Sequence, residues 1–151
     1  MPESWRTRLA RWWFNYFPAF RGTGGRITYI SGDWREIRLR VPLSWRTRNY
    51  VGTIYGGSMY GAVDPIYMIM LIKLLGPAYV VWDKAATIRF RQPGRSTLHA
   101  RFEVTADIEA EIRAELERVK KLERTFVVEL KSADGTVHAT VEKLLHIRRR
   151  S

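Results

Sequence analysis

The sequence predicts one α+β domain in which an antiparallel sheet packs against a very apolar helix. Residues 66–75 are nearly all large and apolar, as in a buried helix. Apolar and charged residues alternate in segments such as 37–41 and 98–104, which is typical of strands with one solvated face. The chain of 151 residues shows no linker, internal repeat or second apolar core, so it fits a single domain.

The composition excludes several classes of protein. With 46% apolar residues and with six Trp, seven Tyr and six Phe, the chain has enough material for a core, which excludes intrinsic disorder. The absence of cysteine removes disulfides and thiolate chemistry and fits a reducing compartment, so we expect a cytoplasmic protein. The charge-free stretches are shorter than the roughly 20 residues that a membrane helix needs, so no spanning segment is expected.

The chain is strongly basic. It carries 26 basic and 15 acidic side chains, a formal net charge of +11, and the surplus lies mainly in the first 50 residues. Such a charge attracts anions, which include nucleic acid, anionic lipid and the phosphates of a nucleotide-bearing substrate. No glycine-aromatic RNA motif or helix-turn-helix pattern accompanies the charge, so a nucleic-acid partner is not expected.

Residues 5–17 are predicted to form an amphipathic helix, which Pro18 ends. With its lead-in, this helix makes residues 1–25 a region of their own, ahead of a single domain over 26–151. Two roles are open for the helix. It docks on a dimer through Trp12, Trp13 and Phe17, which is the favoured role, or it lies on an anionic membrane through residues 1–20.

Strands account for most of the remaining chain. Residues 26–29 and 37–41 precede the apolar helix, and 79–91 and 98–104 follow it. A second amphipathic helix comes next, with Asp107 as its predicted cap. The hairpin signal Asp134-Gly135 then joins two further strands, and the three arginines near the end of the chain are interpreted as a solvated tail.

The candidate chemistry lies in residues 49–65. Gly56 and Gly57 precede the apolar helix, although glycine costs about 1 kcal/mol relative to alanine within a regular helix. Without side chains, these residues allow a ligand to approach the backbone N–H groups at the positive end of the helix. That arrangement suits the negative oxygen that develops when a carbonyl group is attacked.

Asp64 is the only carboxylate between Glu36 and Asp83, and it lies in an otherwise apolar stretch where an unpaired charge is costly. The spacing supports two interpretations equally. Either the helix begins near Gly57 and Pro65 bends it beside Asp64, or Asp64 caps a helix that begins at Pro65. The role of the carboxylate is also open, between catalysis and a structural cap or buried ion pair.

Asn49, the Tyr-Gly-Gly of 55–57 and Asp64 together resemble the Asn…His-Gly-Gly…Asp signature of hotdog-fold acyl-CoA thioesterases of the phenylacetate-pathway type. Tyrosine stands in place of the family's histidine. Residues 90–100 are similar to the strand–turn–strand that follows the central helix in these proteins. The likeness covers roughly 26–148, and the whole chain is most similar to an uncharacterised branch of hotdog proteins.

The resemblance implies a hotdog fold, in which a curved antiparallel sheet wraps around a long central helix, with the amphipathic helix added at the N-terminus. It implies a homodimer or a dimer of dimers with active sites at the subunit interface. It also implies hydrolysis of an acyl-CoA or acyl-carrier thioester, with coenzyme A as part of the substrate and with no cofactor or metal. In such a site Gly57 N–H polarises the thioester carbonyl, Asp64 acts as general base or nucleophile, and Asn49 helps to hold substrate or water.

Tyr55 is the departure from the family pattern. A phenol is neutral at pH 7 and can donate a hydrogen bond, but unlike imidazole it does not titrate near neutrality. Hydrolysis can still proceed with Asp64 and an oxyanion hole, so a thioesterase is the leading hypothesis. A non-catalytic acyl-CoA or lipid binder of the same fold is the alternative.

Four further residues are candidates for substrate binding. Gly56 and Ser58 flank Gly57 at the start of the helix. Arg91 and Arg95 lie on either side of a Pro-Gly turn, where they could hold the phosphates of coenzyme A. A solvated strand end explains the two arginines equally well.

Overall fold

The computed structural model describes all residues, 1–151. In chain order, its elements are α1 (Trp5–Tyr16), α2 (Pro18–Arg21), β1 (Arg26–Ile30), β2 (Glu36–Val41), α3 (Gly56–Val63), α4 (Ile66–Leu75), β3 (Tyr79–Phe90), β4 (Leu98–Glu103), α5 (Ala106–Arg118), β5 (Lys121–Lys131) and β6 (Val137–Arg149). The six strands form one antiparallel sheet in the order β1-β2-β4-β5-β6-β3. This topology confirms the predicted α+β class.

α3 and α4 together form one continuous, bent helix. Asp64 and Pro65 lie between them and keep right-handed helical angles, φ −46° and ψ −52° for Asp64 and φ −83° and ψ −10° for Pro65. The helix therefore begins at Gly56, as the first interpretation predicts, and Asp64 does not cap a new helix. Because proline has no N–H to donate, the hydrogen-bond ladder is interrupted beside Asp64.

The sheet wraps around this central helix, which supplies the middle of the core. The span Gly56–Leu75 has 20 residues, and its most apolar window has a mean hydropathy of 1.3 and is 50% buried inside the fold. By length and composition alone, this helix is apolar enough to cross a membrane, a measure that a buried core helix also meets, so the absence of a spanning segment stays a prediction. Asp64 and Lys73 divide this span into shorter charge-free stretches, but the other residues keep its mean hydropathy high. Here the helix packs in the core, with Ile66 and Met70 fully buried.

Alternating burial along the strands accounts for the alternation in the sequence. In β2, Ile37, Leu39 and Val41 are buried, while Arg38 and Arg40 are exposed. β3 departs from this pattern, because residues 84–87 are exposed on both faces. β3 pairs only with β6 and lies at an edge of the sheet, so its outer side has no strand partner.

α1 packs along β1, the opposite edge strand. The Asn15 side chain replaces a neighbouring strand there, since its Nδ2 donates to Ile27 O and its Oδ1 accepts from Ile27 N, both at 2.8 Å. Thr7 is buried against the domain. Trp12 and Trp13 point the other way and are 62% and 65% exposed. Within one chain, the helix therefore docks through the face opposite to these tryptophans.

Three details differ from the sequence predictions. Thr105, and not Asp107, caps α5, because its side chain accepts a hydrogen bond from Ile108 N. β6 continues to Arg149, so the basic tail is largely strand. The short helix α2 follows Pro18 directly, because proline fits the first turn of a helix as well as it ends the preceding one.

Candidate active site

Gly56 and Gly57 form the first turn of α3, and neither of their N–H groups donates a hydrogen bond within the chain. A Cβ added to Gly57 would lie 2.4 Å from Cε1 of Tyr55, and one added to Gly56 would lie 2.8 Å from Cζ of Phe90. An aromatic ring covers each glycine, so a side chain at either position would require the ring of Tyr55 or Phe90 to move. The two free N–H groups stand at the positive end of the helix, where an anion or a developing oxyanion binds favourably.

Asn49 organises the loop ahead of this helix. Its Oδ1 accepts hydrogen bonds from Val51 N at 3.1 Å and Thr53 N at 2.9 Å, and its Nδ2 donates to Thr53 Oγ1 at 2.8 Å. The amide oxygen is therefore engaged within its own loop. A direct role for Asn49 in holding substrate or water remains a prediction.

Asp64 lies at the bend of the central helix and is not a lone carboxylate. Its Oδ1 accepts a hydrogen bond from Lys143 Nζ at 2.8 Å and another from Tyr60 OH at 2.9 Å. Lys143 Nζ also lies 3.2 Å from Tyr60 OH, so the three side chains form a closed triangle. The Lys143 side chain is fully buried, whereas 47% of the Asp64 side chain is exposed. One carboxylate oxygen is therefore fixed, and Oδ2 has no hydrogen-bond partner in the chain.

Asp83 is a second carboxylate that faces Lys143. Its Oδ1 lies 3.0 Å from Lys143 Nζ, which is an ion-pair distance. The angle is not that of a hydrogen bond, and this buried oxygen has no hydrogen-bond partner. Asp83 stands at the β-bulge between Asp83 and Ala85 in β3. One buried ammonium thus lies between a carboxylate of the helix and a carboxylate of the edge strand.

Burial and these contacts shift the pKa values of the cluster. Burial alone lowers the pKa of Lys143, but its contacts with Asp64, Asp83 and Tyr60 outweigh burial and leave that pKa above its usual value. Burial raises the pKa of Asp83, and Lys143 offsets only part of this effect. Burial also raises the pKa of Tyr60. These directions are consistent, because Lys143 has two anionic partners whereas Asp83 shares its single cation with Asp64.

Gly57 and Asp64 are seven residues apart on the same helix. At 1.5 Å per residue, their backbones are separated by about 10 Å along the helix axis. A thioester carbonyl bound to Gly57 N–H is therefore too far from Asp64 of the same chain to be attacked by a water molecule that Asp64 holds. Within a single copy, the two predicted site residues are therefore about two helical turns apart.

An apolar cavity of about 420 Å³ adjoins Asp64. It lies between the N-terminal helices, which contribute Trp13, Phe14, Phe17, Ala19 and Phe20, and the central helix, which contributes Gly61, Asp64, Pro65 and Ile69. Its volume falls within the range of about 300 to 1,000 Å³ that small-molecule sites occupy. Asp64 is the only charged residue in its lining.

The remaining candidates lie around the start of the helix. Ser58 is buried, 5% exposed, in the first turn of α3. Arg91 is exposed and directly follows Phe90, whose ring covers Gly56. The Nε atom of Arg91 lies 3.5 Å from Thr140 Oγ1. Arg95 lines a surface depression beside the β5–β6 turn. Neither arginine contacts the carboxylates of the Lys143 cluster.

Sequence reasoning missed Lys143, Asp83 and Tyr60 as members of the site. A signal for Lys143 was present, because the inward alternation of β6 continues from Val141 through Lys143 to Leu145. A lysine on the buried face of a strand requires carboxylate partners, and Asp64 was already identified as a carboxylate in an apolar stretch.

Solved structures with the same architecture identify the fold. PA5026 of Pseudomonas aeruginosa, described as a protein of unknown function and "probable thioesterase", has a TM-score of 0.84 at 22% identity, and the match covers 99% of this chain and 99% of that one. The thioesterase HI1161 of Haemophilus influenzae has a TM-score of 0.71 at 12% identity, with 97% and 93% covered. The PaaI protein of E. coli, from the phenylacetic acid degradation operon, has a TM-score of 0.64 at 15% identity, also with 97% and 93% covered.

These matches show that the chain has the hotdog fold implied by the motif. No curated protein matches the sequence. Residues 6–147 match the family described as "Domain of unknown function (DUF4442)". Because this match spans nearly the whole chain, the protein belongs to the DUF4442 family, a branch with the hotdog fold of the thioesterases.

Proposed function

We propose that this protein is a thioesterase that hydrolyses an acyl-CoA or acyl-carrier thioester. The observation that carries the proposal is the Asp64 carboxylate, whose Oδ1 is fixed by Lys143 and Tyr60 while Oδ2 has no partner in the chain, in a residue that lines an apolar cavity. The free N–H of Gly57 at the helix start and the thioesterase names of the structural neighbours support it.

In the proposed reaction Asp64 acts as the general base. Its Oδ2 accepts a proton from a water molecule as the water oxygen attacks the thioester carbonyl carbon. Gly57 N–H donates a hydrogen bond to the carbonyl oxygen as it becomes negative, an interaction that contributes about 3 to 4 kcal/mol in other enzymes. The C–S bond then breaks, and the proton passes from Asp64 to the leaving sulfur. The products are a carboxylic acid and a free thiol.

In this proposal Asp64 and Gly57 of one site come from different copies of the chain, because within one copy they are about 10 Å apart. The outer edge of β3 has no strand partner and exposes residues 84–87, so it offers an edge for pairing. We propose a two-fold axis beside that edge that brings the helix start of one copy near the helix bend of the other. The complete enzyme is then a homodimer or a dimer of dimers.

The proposed dimer also suggests a position for each part of the substrate. The acyl group enters the cavity beside Asp64, and Gly56, Ser58 and Tyr55 surround the thioester at the helix start. Arg91 and Arg95 stay exposed beyond that end, where they can bind the phosphates of coenzyme A. The net charge of +11 favours the approach of such an anionic substrate.

Release of free thiol from a panel of acyl-CoA thioesters tests the proposal. We expect turnover by the intact protein and a loss of about 100-fold or more in kcat for Asp64→Asn, which keeps the shape of the side chain but cannot take the proton. Asp107→Asn is the matched control, because Asp107 is exposed in the first turn of α5. Equal activity of Asp64→Asn and the control would refute the role of Asp64.

Mixing two inactive variants tests the shared site. Asp64→Asn and Gly57→Val chains are refolded together in equal amounts. If each site takes Asp64 from one copy and Gly57 from the other, then half of the dimers are mixed and each has one intact site, so about a quarter of the wild-type activity returns. If both groups of a site belonged to the same copy, no activity would return.

A non-catalytic binder of acyl-CoA is the second candidate. The Lys143 contact favours it, because an ion pair occupies the carboxylate that would otherwise act on water. This candidate predicts that a non-hydrolysable thioether of dodecyl-CoA binds to the protein while no thioester in the panel is cleaved. Turnover that depends on Asp64 would eliminate it.

A further inference from the structure

The outward side of α1 is an apolar stripe. Trp5, Leu9, Trp12, Trp13 and Tyr16 are each more than half exposed. At 100° per residue, these five positions fall on one side of the helix. Large apolar side chains gathered on one exposed surface are typical of a contact site rather than of an ordinary solvated surface.

The stripe is not a core face that has lost its contact with the rest of the domain. The opposite side of α1 already packs on the domain through Phe14 and through Asn15, whose amide bonds to the backbone of Ile27. Glu3 adds a bidentate pair with Arg11, at 2.7 and 3.1 Å. Because these contacts fix the rotation of the helix, the stripe faces outward in the folded protein.

Basic side chains surround the stripe. Arg6 and Arg8 flank it on the helix, and the Arg21 guanidinium lies 5.7 Å from the centre of the Tyr16 ring. Beside them Arg46 lies 5.4 Å from the centre of the Trp45 ring, and Trp45 is 84% exposed. No acidic residue occurs from residue 4 to residue 32. We call the outward side of α1, with Arg21, Trp45 and Arg46, the aromatic-arginine face.

We propose that the aromatic-arginine face binds the surface of an anionic lipid bilayer. Tryptophan and tyrosine favour the boundary between head groups and acyl chains, and arginine binds lipid phosphate. A second copy of the chain is a poorer partner for this face. A two-fold contact would place the arginines of this face against the same arginines of the second copy, and the nearby carboxylate, Glu3, already pairs with Arg8 and Arg11. Lipid phosphates supply the missing negative charge.

The orientation on the membrane follows from the position of α1. Trp13 of the stripe and the half-exposed Phe17 that follows α1 also line the cavity beside Asp64. A protein bound through this face therefore has the cavity directly behind its lipid contact. Arg118, which ends α5, and Lys120, just after it, are exposed and do not belong to this face.

Co-sedimentation with vesicles tests the proposal. The intact protein is mixed with vesicles of phosphatidylglycerol and phosphatidylcholine, and with vesicles of phosphatidylcholine alone. We expect strong binding only to the anionic vesicles, and weaker binding in 0.5 M salt because salt screens the charges. Trp5→Ala/Trp12→Ala and Arg6→Gln/Arg8→Gln should each lower the partition coefficient about tenfold or more. Arg118→Gln/Lys120→Gln removes the same charge elsewhere and should leave partitioning nearly unchanged.

Three results would overturn the proposal. The first is an intact protein that does not bind anionic vesicles, and the second is an equal loss of binding in the control variant. The third is self-association, or binding of a mixed-sequence oligonucleotide, that depends on Trp5 and Trp12 while the vesicles remain unbound. Circular dichroism spectra and thermal unfolding of each variant show whether it is folded, so a loss of binding is not confused with a loss of structure.

Discussion

Lys143 Nζ lies 2.8 Å from Asp64 Oδ1, although the Lys143 side chain has no exposed surface. A buried ammonium is stable only where its partners offset the loss of hydration. Asp64 from the central helix, Asp83 from β3 and the Tyr60 hydroxyl provide that environment. The same lysine therefore stabilises the junction of helix and edge strand and fixes the orientation of the proposed general base.

Replacement of Lys143 by methionine should destabilise the protein by about 3 to 5 kcal/mol, because two carboxylates would then face each other without a cation. Urea unfolding at pH 7 measures this change. Lys131→Met is the control, since Lys131 forms an exposed pair with Glu129, and it should change stability by less than about 1 kcal/mol. Similar unfolding midpoints for the two variants would show that the buried pair contributes no more than a surface pair.

The sequence predicted much of the fold because its signals are local. The apolar composition of the central helix, the alternation in β2 and β4 and the turn at Gly135 each depend on a few neighbouring residues. It also predicted that Asp64 needs a partner or a function. The identity of the partner is not local, because Lys143 and Asp83 meet Asp64 only when β6 and β3 pair beside the helix.

The direction in which α1 faces could not be read from periodicity. Phe14 lies on one side of the helix and Trp12 with Tyr16 on the other, so both sides carry aromatic residues. Which side of α1 faces the domain depends on Asn15, whose amide nitrogen and oxygen both bond to the free edge of β1. A sequence pattern does not show which strand edge is left unpaired, and so the inward side remained undetermined.

Substitution of Gly57 by alanine should change stability differently in two backgrounds. In the wild type the new Cβ would lie 2.4 Å from the Tyr55 ring, so the ring must move. The cost of this movement cancels the free energy by which alanine stabilises a helix relative to glycine. In a Tyr55→Ala background that ring is absent, and the same change should stabilise the protein by up to about 1 kcal/mol. Urea unfolding of the four proteins in this double-mutant cycle measures the coupling. Additive effects would show that Tyr55 does not cover Gly57.

Asn15→Leu should cost about 2 to 4 kcal/mol, because it leaves the N–H and C=O of buried Ile27 without partners. Hydrogen exchange at the Ile27 amide should accelerate as α1 separates from β1. Trp12→Ala is the control, since Trp12 is 62% exposed on the opposite side of the same helix, and it should have little effect on either measurement. Equal losses in both variants would mean that α1 is held by contacts other than the Asn15 amide.

Acid should weaken the attachment of α1 through Glu3. The hydrogen bonds from Arg11 hold the pKa of Glu3 below its usual value of 4.5. Because the folded state has the lower pKa, this contribution to stability is complete above pH 4.5 and is lost as the pH falls through the lowered value. Glu3→Gln should therefore be less stable than the wild type by about 1 to 3 kcal/mol at pH 7, with the two converging towards pH 3.

Urea unfolding at pH 7, 4.5 and 3, followed by tryptophan fluorescence, measures this convergence. Glu117→Gln is the control, because Glu117 is exposed and forms no ion pair, so its difference from the wild type should stay small at every pH. A constant gap between Glu3→Gln and the wild type from pH 7 to pH 3 would contradict the assignment. The stability of the N-terminal attachment would then not depend on the charge of Glu3, and its hydrogen bonds to Arg11 would persist after protonation.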